Sequence, residues 1–192
     1  MPKVPWASSI FENRADYTAF NTSASEGSIL TGLNLQPTFP AGFWDDFGKA
    51  VKIEASGILG TTGTPTIIYQ ARLGTTVGAA SLAGGSVGVS VAITTINNSS
   101  NQWWRLTLDI ICNTPGQASG NTTLNCQGKV ECPAGFASPF VYALEPTTPP
   151  TATWTQTIDN SVATYLNLSV TWSASSLSNT ITTKNLTVTA LN

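Results

Sequence analysis

The chain alternates, and that period of two leaves few ways to fold it. Between residues 49 and 59, Val51, Ile53 and Ala55 take turns with Lys52, Glu54 and Ser56. The same rhythm places Val87, Val89, Val91 and Ile93 on one face, and Trp104, Leu106, Leu108, Ile110 and Cys112 on another. It returns near the end, where Leu166, Leu168, Val170 and Trp172 oppose Tyr165, Asn167, Ser169 and Thr171. Side chains of a strand point alternately to its two faces, so each run predicts a half-buried antiparallel strand. Further strands are expected near 28–35, 64–73, 122–131, 139–145, 153–159 and 180–191. Stretches rich in Gly, Pro, Asn and Ser separate them, at 61–65, 74–86, 97–101, 115–121, 146–150 and 173–179. Helical spacing is confined to 41–48, one or two turns at most.

Composition agrees. Ser and Thr make up 48 of the 192 residues, while Asp, Glu, Lys and Arg together reach only 9%. Thr favours strands, and the strong helix formers among the charged residues are scarce. About nine or ten short strands in one domain predict an all-β fold, an antiparallel β-sandwich of the jelly-roll kind. No run approaches the roughly 18 apolar residues of a membrane helix, so no membrane partner is expected. The eight basic residues are dispersed and the net charge is −2, so no nucleic-acid partner is expected either. The first eleven residues contain no apolar run of the kind an export signal needs, so export by that route is not expected; a chain made in the host cytoplasm that works outside after lysis fits this, as does, less well with a leading Met1, a secreted protein whose leader has been removed.

Residues 1–26 read as an N-terminal arm and 27–192 as the sandwich domain. The arm alternates poorly but carries Trp6, Ile10, Phe11, Tyr17 and Phe20. Two readings fit it: a first strand with a frayed end, or an arm that docks on a neighbour with these five residues as contacts. Among the six tryptophans, Trp104 and Trp172 have core parity, while Trp44 and Trp103 are the candidates for exposed aromatics that stack on sugar or fill an interface.

The chemistry expected of an enzyme is missing. There is no histidine, which removes the commonest general base and the commonest metal ligand. The ten carboxylates are scattered, apart from adjacent Asp45 and Asp46, which read either as a solvated loop pair or as part of a Ca²⁺ site, the former favoured. No phosphate-binding glycine pattern occurs. The expectation is therefore a protein with no catalytic residues, no cofactor and no metal. Three cysteines lie at core parity. A hairpin around 115–121 would bring Cys112 across from Cys126, close enough for a disulfide. Cys126 with Cys132 is a second possible bond, and three buried free thiols are the simpler reading.

Several stretches carry a resemblance. They are Ser28-Ile-Leu-Thr-Gly, Pro40-Ala-Gly-Phe-Trp, Gly48-Lys-Ala-Val-Lys-Ile-Glu-Ala-Ser-Gly-Ile-Leu, Thr62-Gly-Thr-Pro-Thr-Ile, Ala71-Arg-Leu-Gly and Trp104-Arg-Leu-Thr-Leu-Asp. The end adds Thr157-Ile-Asp, Leu166-Asn-Leu-Ser-Val-Thr-Trp and Ser178-Asn-Thr-Ile-Thr. Together these resemble tailed-phage virion structural proteins with a β-sandwich domain, over residues 27–190 but not over 1–26, and with a departure at 113–150. The resemblance implies a jelly-roll virion protein that forms a homotrimer. On it rests the expectation of a capsid decoration, or cement, protein on the outer shell, with the major capsid protein as partner and the virion surface as its place of work. The alternative within the class is a tail-fibre or receptor-binding tip that recognises host-surface carbohydrate.

Overall fold

The computed structural model describes residues 7–191, apart from 22, 33–34, 79–81, 83, 117–119, 133, 138–140 and 147–153. Its strands are β1 (Ala7–Asn13), β2 (Gly27–Ser28), β3 (Thr38–Phe39), β4 (Ala50–Thr61), β5 (Thr66–Gly74), β6 (Gly85–Val89) and β7 (Ile93–Thr94). They continue with β8 (Ser99–Thr114), β9 (Asn121–Glu131), β10 (Val141–Leu144), β11 (Thr155–Asp159), β12 (Thr164–Trp172) and β13 (Thr180–Leu191). All pair antiparallel. The first sheet runs β1-β13-β4-β8-β9-β10, with β11 beside β10 on the same edge of β9. The second runs β2-β12-β5-β6, with β3 on β12 and β7 on β5. The chain crosses between the sheets from β4 to β5 and returns from β12 to β13. Because β4 pairs with β13 and β5 with β12, the two crossings lie side by side, the nested ribbon of a jelly roll.

The alternation read in the sequence becomes the core. Val51, Ile53, Leu106, Leu108, Ile110, Val188 and their neighbours face Ile67, Tyr69, Ala71, Leu166, Leu168 and Val170, all buried. Period two would drift out of phase along twelve-residue β13, which must bury both Ile181 and Leu186. A bulge at Lys184 resets it: Thr183 pairs with Gly57 and Asn185 with Ser56, so one extra residue is absorbed.

The arm expected over 1–26 is built into this frame. Ala7–Asn13 pairs along β13, with Ala7 opposite Leu191. The following segment crosses from one sheet to the other and closes the side of the sandwich. The Tyr17 N–H donates to the Thr183 carbonyl at 2.9 Å, Phe20 and Ile181 exchange backbone bonds, and Ile29 N–H reaches the Leu168 carbonyl at 2.9 Å. Asp16 pairs with the bulged Lys184. On the second sheet, Glu26 holds Arg72 through two bonds of 2.7 and 2.8 Å and accepts one from the Ser169 hydroxyl at 2.6 Å.

Three local expectations change. The strand expected over 28–35 shrinks to Gly27–Ser28. The run 87–93 breaks at Ser90, whose hydroxyl oxygen accepts the Tyr69 N–H at 3.0 Å and whose O–H donates to the Val91 carbonyl, ending the ladder. Residues 41–48 form successive turns without a helix.

Candidate functional site

The outer face of the first sheet is the one large surface on which polar, charged and aromatic side chains stand in register. Across β13, β4, β8 and β9 the rows read Asn185–Ser56–Arg105–Glu131, Thr187–Glu54–Thr107–Lys129 and Thr189–Lys52–Asp109–Gln127. Arg105 donates to Glu54 at 2.7 Å, and its guanidinium holds the Glu54 carboxyl below the usual carboxylate range. Lys129 lies 3.4 Å from Glu131. Asp109 and Gln127 face each other across β8 and β9, and neither side chain has a partner among the described residues.

Beside that pair the sheet changes. β10 leaves β9 after Leu144, opposite Gly128, and β11 joins β9 at Thr155, opposite Asn125. In the gap, the Cys126 N–H donates to the Trp154 carbonyl at 2.8 Å, which fixes the indole next to Gln127. Trp154 is 57% exposed. It stands between two depressions. One, of about 310 Å³, has Thr107, Asp109, Gln127, Lys129 and Glu145 around it. The other, about 230 Å³, lies against Ile111 and Asn125. The larger is at the small end of the roughly 300–1,000 Å³ typical of small-molecule sites.

An exposed indole beside a free carboxylate and a free amide can bind one kind of ligand well: a flat ring with an apolar face and hydroxyls at its rim. The indole takes the face, while Asp109 accepts hydroxyl protons and Gln127 both accepts and donates.

The residues singled out from sequence fall elsewhere. Trp103 is half exposed on the outer face, opposite Ile58 and beyond the groove. Trp44 is not a surface residue but is 1% exposed, a correction. It plugs one end of the sandwich against Phe39 and Phe43, ring centroids 5.5 and 4.9 Å away. Its N–H is held by Asn160 Oδ1 at 3.1 Å. Exposed Asp45 and Asp46 follow it directly, which gave the loop its surface look. Tyr17 is buried too, its hydroxyl donating to the Leu35 carbonyl at 3.2 Å, so it offers no contact to a neighbour. Phe11 and Phe20 pack partly against the core, Ile10 is exposed, and Trp6 lies outside the described residues.

The cysteine bridge is also corrected. The register pairs Cys112 with Leu124 and Ile110 with Cys126, so the two thiols sit on a diagonal. Diagonal neighbours are roughly 7–8 Å apart, beyond ordinary disulfide reach. Cys112, Cys126 and Cys132 are all free and buried. Burial pushes the thiols of Cys126 and Cys132 up to about 12 and about 11, so at neutral pH both are protonated packing groups.

Trp154 is the candidate site residue that sequence reasoning does not single out. It shares even parity with buried Ile158, which argues for the core, but it precedes β11 and is outside the pleat. No signal in the sequence distinguishes it from a core tryptophan.

No protein-family profile matches this chain, and no curated protein sequence matches it. Among solved structures it is similar to the marine PL-14 alginate lyase from Aplysia kurodai, at 11% identity and a TM-score of 0.32, over 73% of this chain and 69% of that one. It is similar to the CBM2 module of the evolved Dit of Lactobacillus casei BL23 phage J-1, at 10% identity and a TM-score of 0.32, over 82% of this chain and 68% of that one.

Proposed function

We propose that this chain is a non-enzymatic binding protein of a tailed-phage particle, and that it recognises carbohydrate in the groove beside Trp154. The observation that carries the reading is the exposed indole next to Asp109 and Gln127, two polar groups with no partner of their own among the described residues. The phage setting rests on the sequence resemblance over 27–190. A single sugar held by one stacked ring and a few hydrogen bonds binds weakly, with a Kd on the order of 10⁻⁴ to 10⁻³ M. A homotrimer, and several copies per particle, would raise that by avidity without new contacts.

Of the two roles the resemblance implies, the receptor-binding one has more support than shell cement. The three described aromatics among the expected contacts are engaged in their own domain: Tyr17 is buried, and Phe11 and Phe20 pack on the core. One comparative experiment tests this. The purified full chain, its Trp154→Ala variant and its Asp109→Asn/Gln127→Ala variant are applied to an array of bacterial surface glycans, and in parallel to empty shells of the major capsid protein. Glycan retention by the wild type that both variants lose is the expected outcome. Stoichiometric shell binding with no glycan retained would establish the cement role instead.

A further inference from the structure

We infer that the face of the first sheet takes an extended neutral oligosaccharide lying across the strands, with Trp154 at one end and Asn185 and Arg105 at the other. This deepens the carbohydrate reading above and rests on it. A second depression, of about 240 Å³, opens on the same face, bounded by Glu54, Ser56, Arg105, Asn185 and Thr187. Its wall residues adjoin those of the first. Glu54 borders the second depression, Thr107 borders the first, and the two are register partners on β4 and β8. The row Thr187–Glu54–Thr107–Lys129–Ala143 therefore runs unbroken across five strands, β13 to β10. Four strand spacings of about 4.8 Å make that row roughly 19 Å long, room for several sugar rings end to end.

The far end has its own demand for a ligand. Asn185 Oδ1 is buried and accepts no hydrogen bond among the described residues. A buried acceptor without a donor is costly, and it sits beside the bulge at Lys184, a common means of re-aiming side chains on a sheet. Asn185 borders the second depression, and turning its amide so that Oδ1 meets a ligand hydroxyl there supplies the missing donor. Arg105 spends part of its fork on Glu54 and is half exposed, so it keeps further N–H groups for ring or linkage oxygens. The charges around the face nearly balance: Lys52, Arg105 and Lys129 against Glu54, Asp109, Glu131 and Glu145. A strongly anionic polymer would meet four carboxylates, so the chemistry fits a neutral chain.

The test is a length series. Disaccharides and octasaccharides prepared from a glucan, a galactan and a mannan are titrated into the full chain by calorimetry, with polygalacturonate fragments as the charged control. The expected result is a neutral octasaccharide bound at least about tenfold more tightly than its disaccharide. Asn185→Ala and Arg105→Ala should each weaken the octasaccharide about threefold to tenfold, while leaving the disaccharide within about twofold. Trp154→Ala should abolish both. Equal affinity at the two lengths, or variants that weaken both lengths alike, would overturn the extended site and leave the Trp154 groove standing. Tighter binding of polygalacturonate would overturn the neutral assignment. Failure of every oligosaccharide to bind would remove the groove reading and this inference together.

Discussion

Substituting Trp44 and Trp103 separately by alanine asks whether the fold is right about two tryptophans that the sequence alone groups together. Trp44 is 1% exposed, and truncating a buried Trp costs about 3–5 kcal/mol through lost transfer energy and the cavity left behind. Its edge-to-face contact with Phe43 and tilted contact with Phe39 add to that, about 0.5–1.5 kcal/mol each. One term opposes: the Trp44 Nε1 is buried without a partner among the described residues, and removing it returns about 1–3 kcal/mol. The net expectation is about 4 kcal/mol. Trp103 is 50% exposed with no such ring partners in the described structure, so its truncation should cost about 1 kcal/mol or less. Urea unfolding followed by far-UV circular dichroism reads both. With a urea m-value near 2 kcal/mol/M, the Trp44→Ala midpoint should fall by about 2 M and the Trp103→Ala midpoint by about 0.5 M or less. Equal shifts, or a larger one for Trp103, would refute the placement of the 40–48 loop over the end of the sandwich.

Two further outcomes follow from groups described above. Cys126 ionises near 9.0 in an unfolded chain but only at about 12 when folded. Its contribution is thus complete below pH 9 and lost as pH climbs from there towards 12, so the urea midpoint should drop between neutral pH and about pH 10.5 and drop less in Cys126→Ala; identical drops would refute it. Glu26→Ala takes the carboxylate from the Arg72 guanidinium, whose side chain is 21% exposed and which keeps the Gly84 carbonyl and Gln70 Oε1, and takes the acceptor from the Ser169 hydroxyl. Breaking a fully buried pair costs about 3–5 kcal/mol, and residual solvent lowers this to about 2 kcal/mol by calorimetry; no loss would mean the segment through Glu26 does not clamp the second sheet.

How much was legible depended on whether a residue sat inside a ladder. Within β4, β8 and β12 the period of two picks out core residues correctly, because the pleat itself sorts side chains by parity. Outside the ladders parity says nothing. Trp44, expected at the surface, lies in successive turns and is buried; Trp154, which the sequence does not single out, lies one residue before β11 and is exposed. The register between strands escapes the same arithmetic. A Cys112–Cys126 pairing needs the two residues directly opposite, whereas the register on either side of the slip beyond Cys112 does not put them so, and Leu124 stands opposite Cys112. β1 is only one of two readings the sequence leaves open for the first 26 residues, because its own alternation is weak. Its burial is irregular, and what orders it is the backbone ladder to β13, which lies at the far end of the sequence. The groove was invisible for a similar reason: Asp109 and Gln127 become one site only through the β8–β9 register, and Trp154 joins them only through a single backbone bond.

The pairing of Ala7 with Leu191 brings the two ends of the described chain to within one strand spacing at the β1–β13 edge, while the Trp154 groove lies at the opposite margin of that sheet. In sequence terms the domain is therefore nearly a ring. A short linker could join its ends, and the chain could be reopened at an exposed turn such as 173–179 with every sheet contact kept. Such a circular permutant would carry its new ends at another corner of the molecule, which would allow the protein to be tethered from different sides without touching the face proposed to meet a glycan.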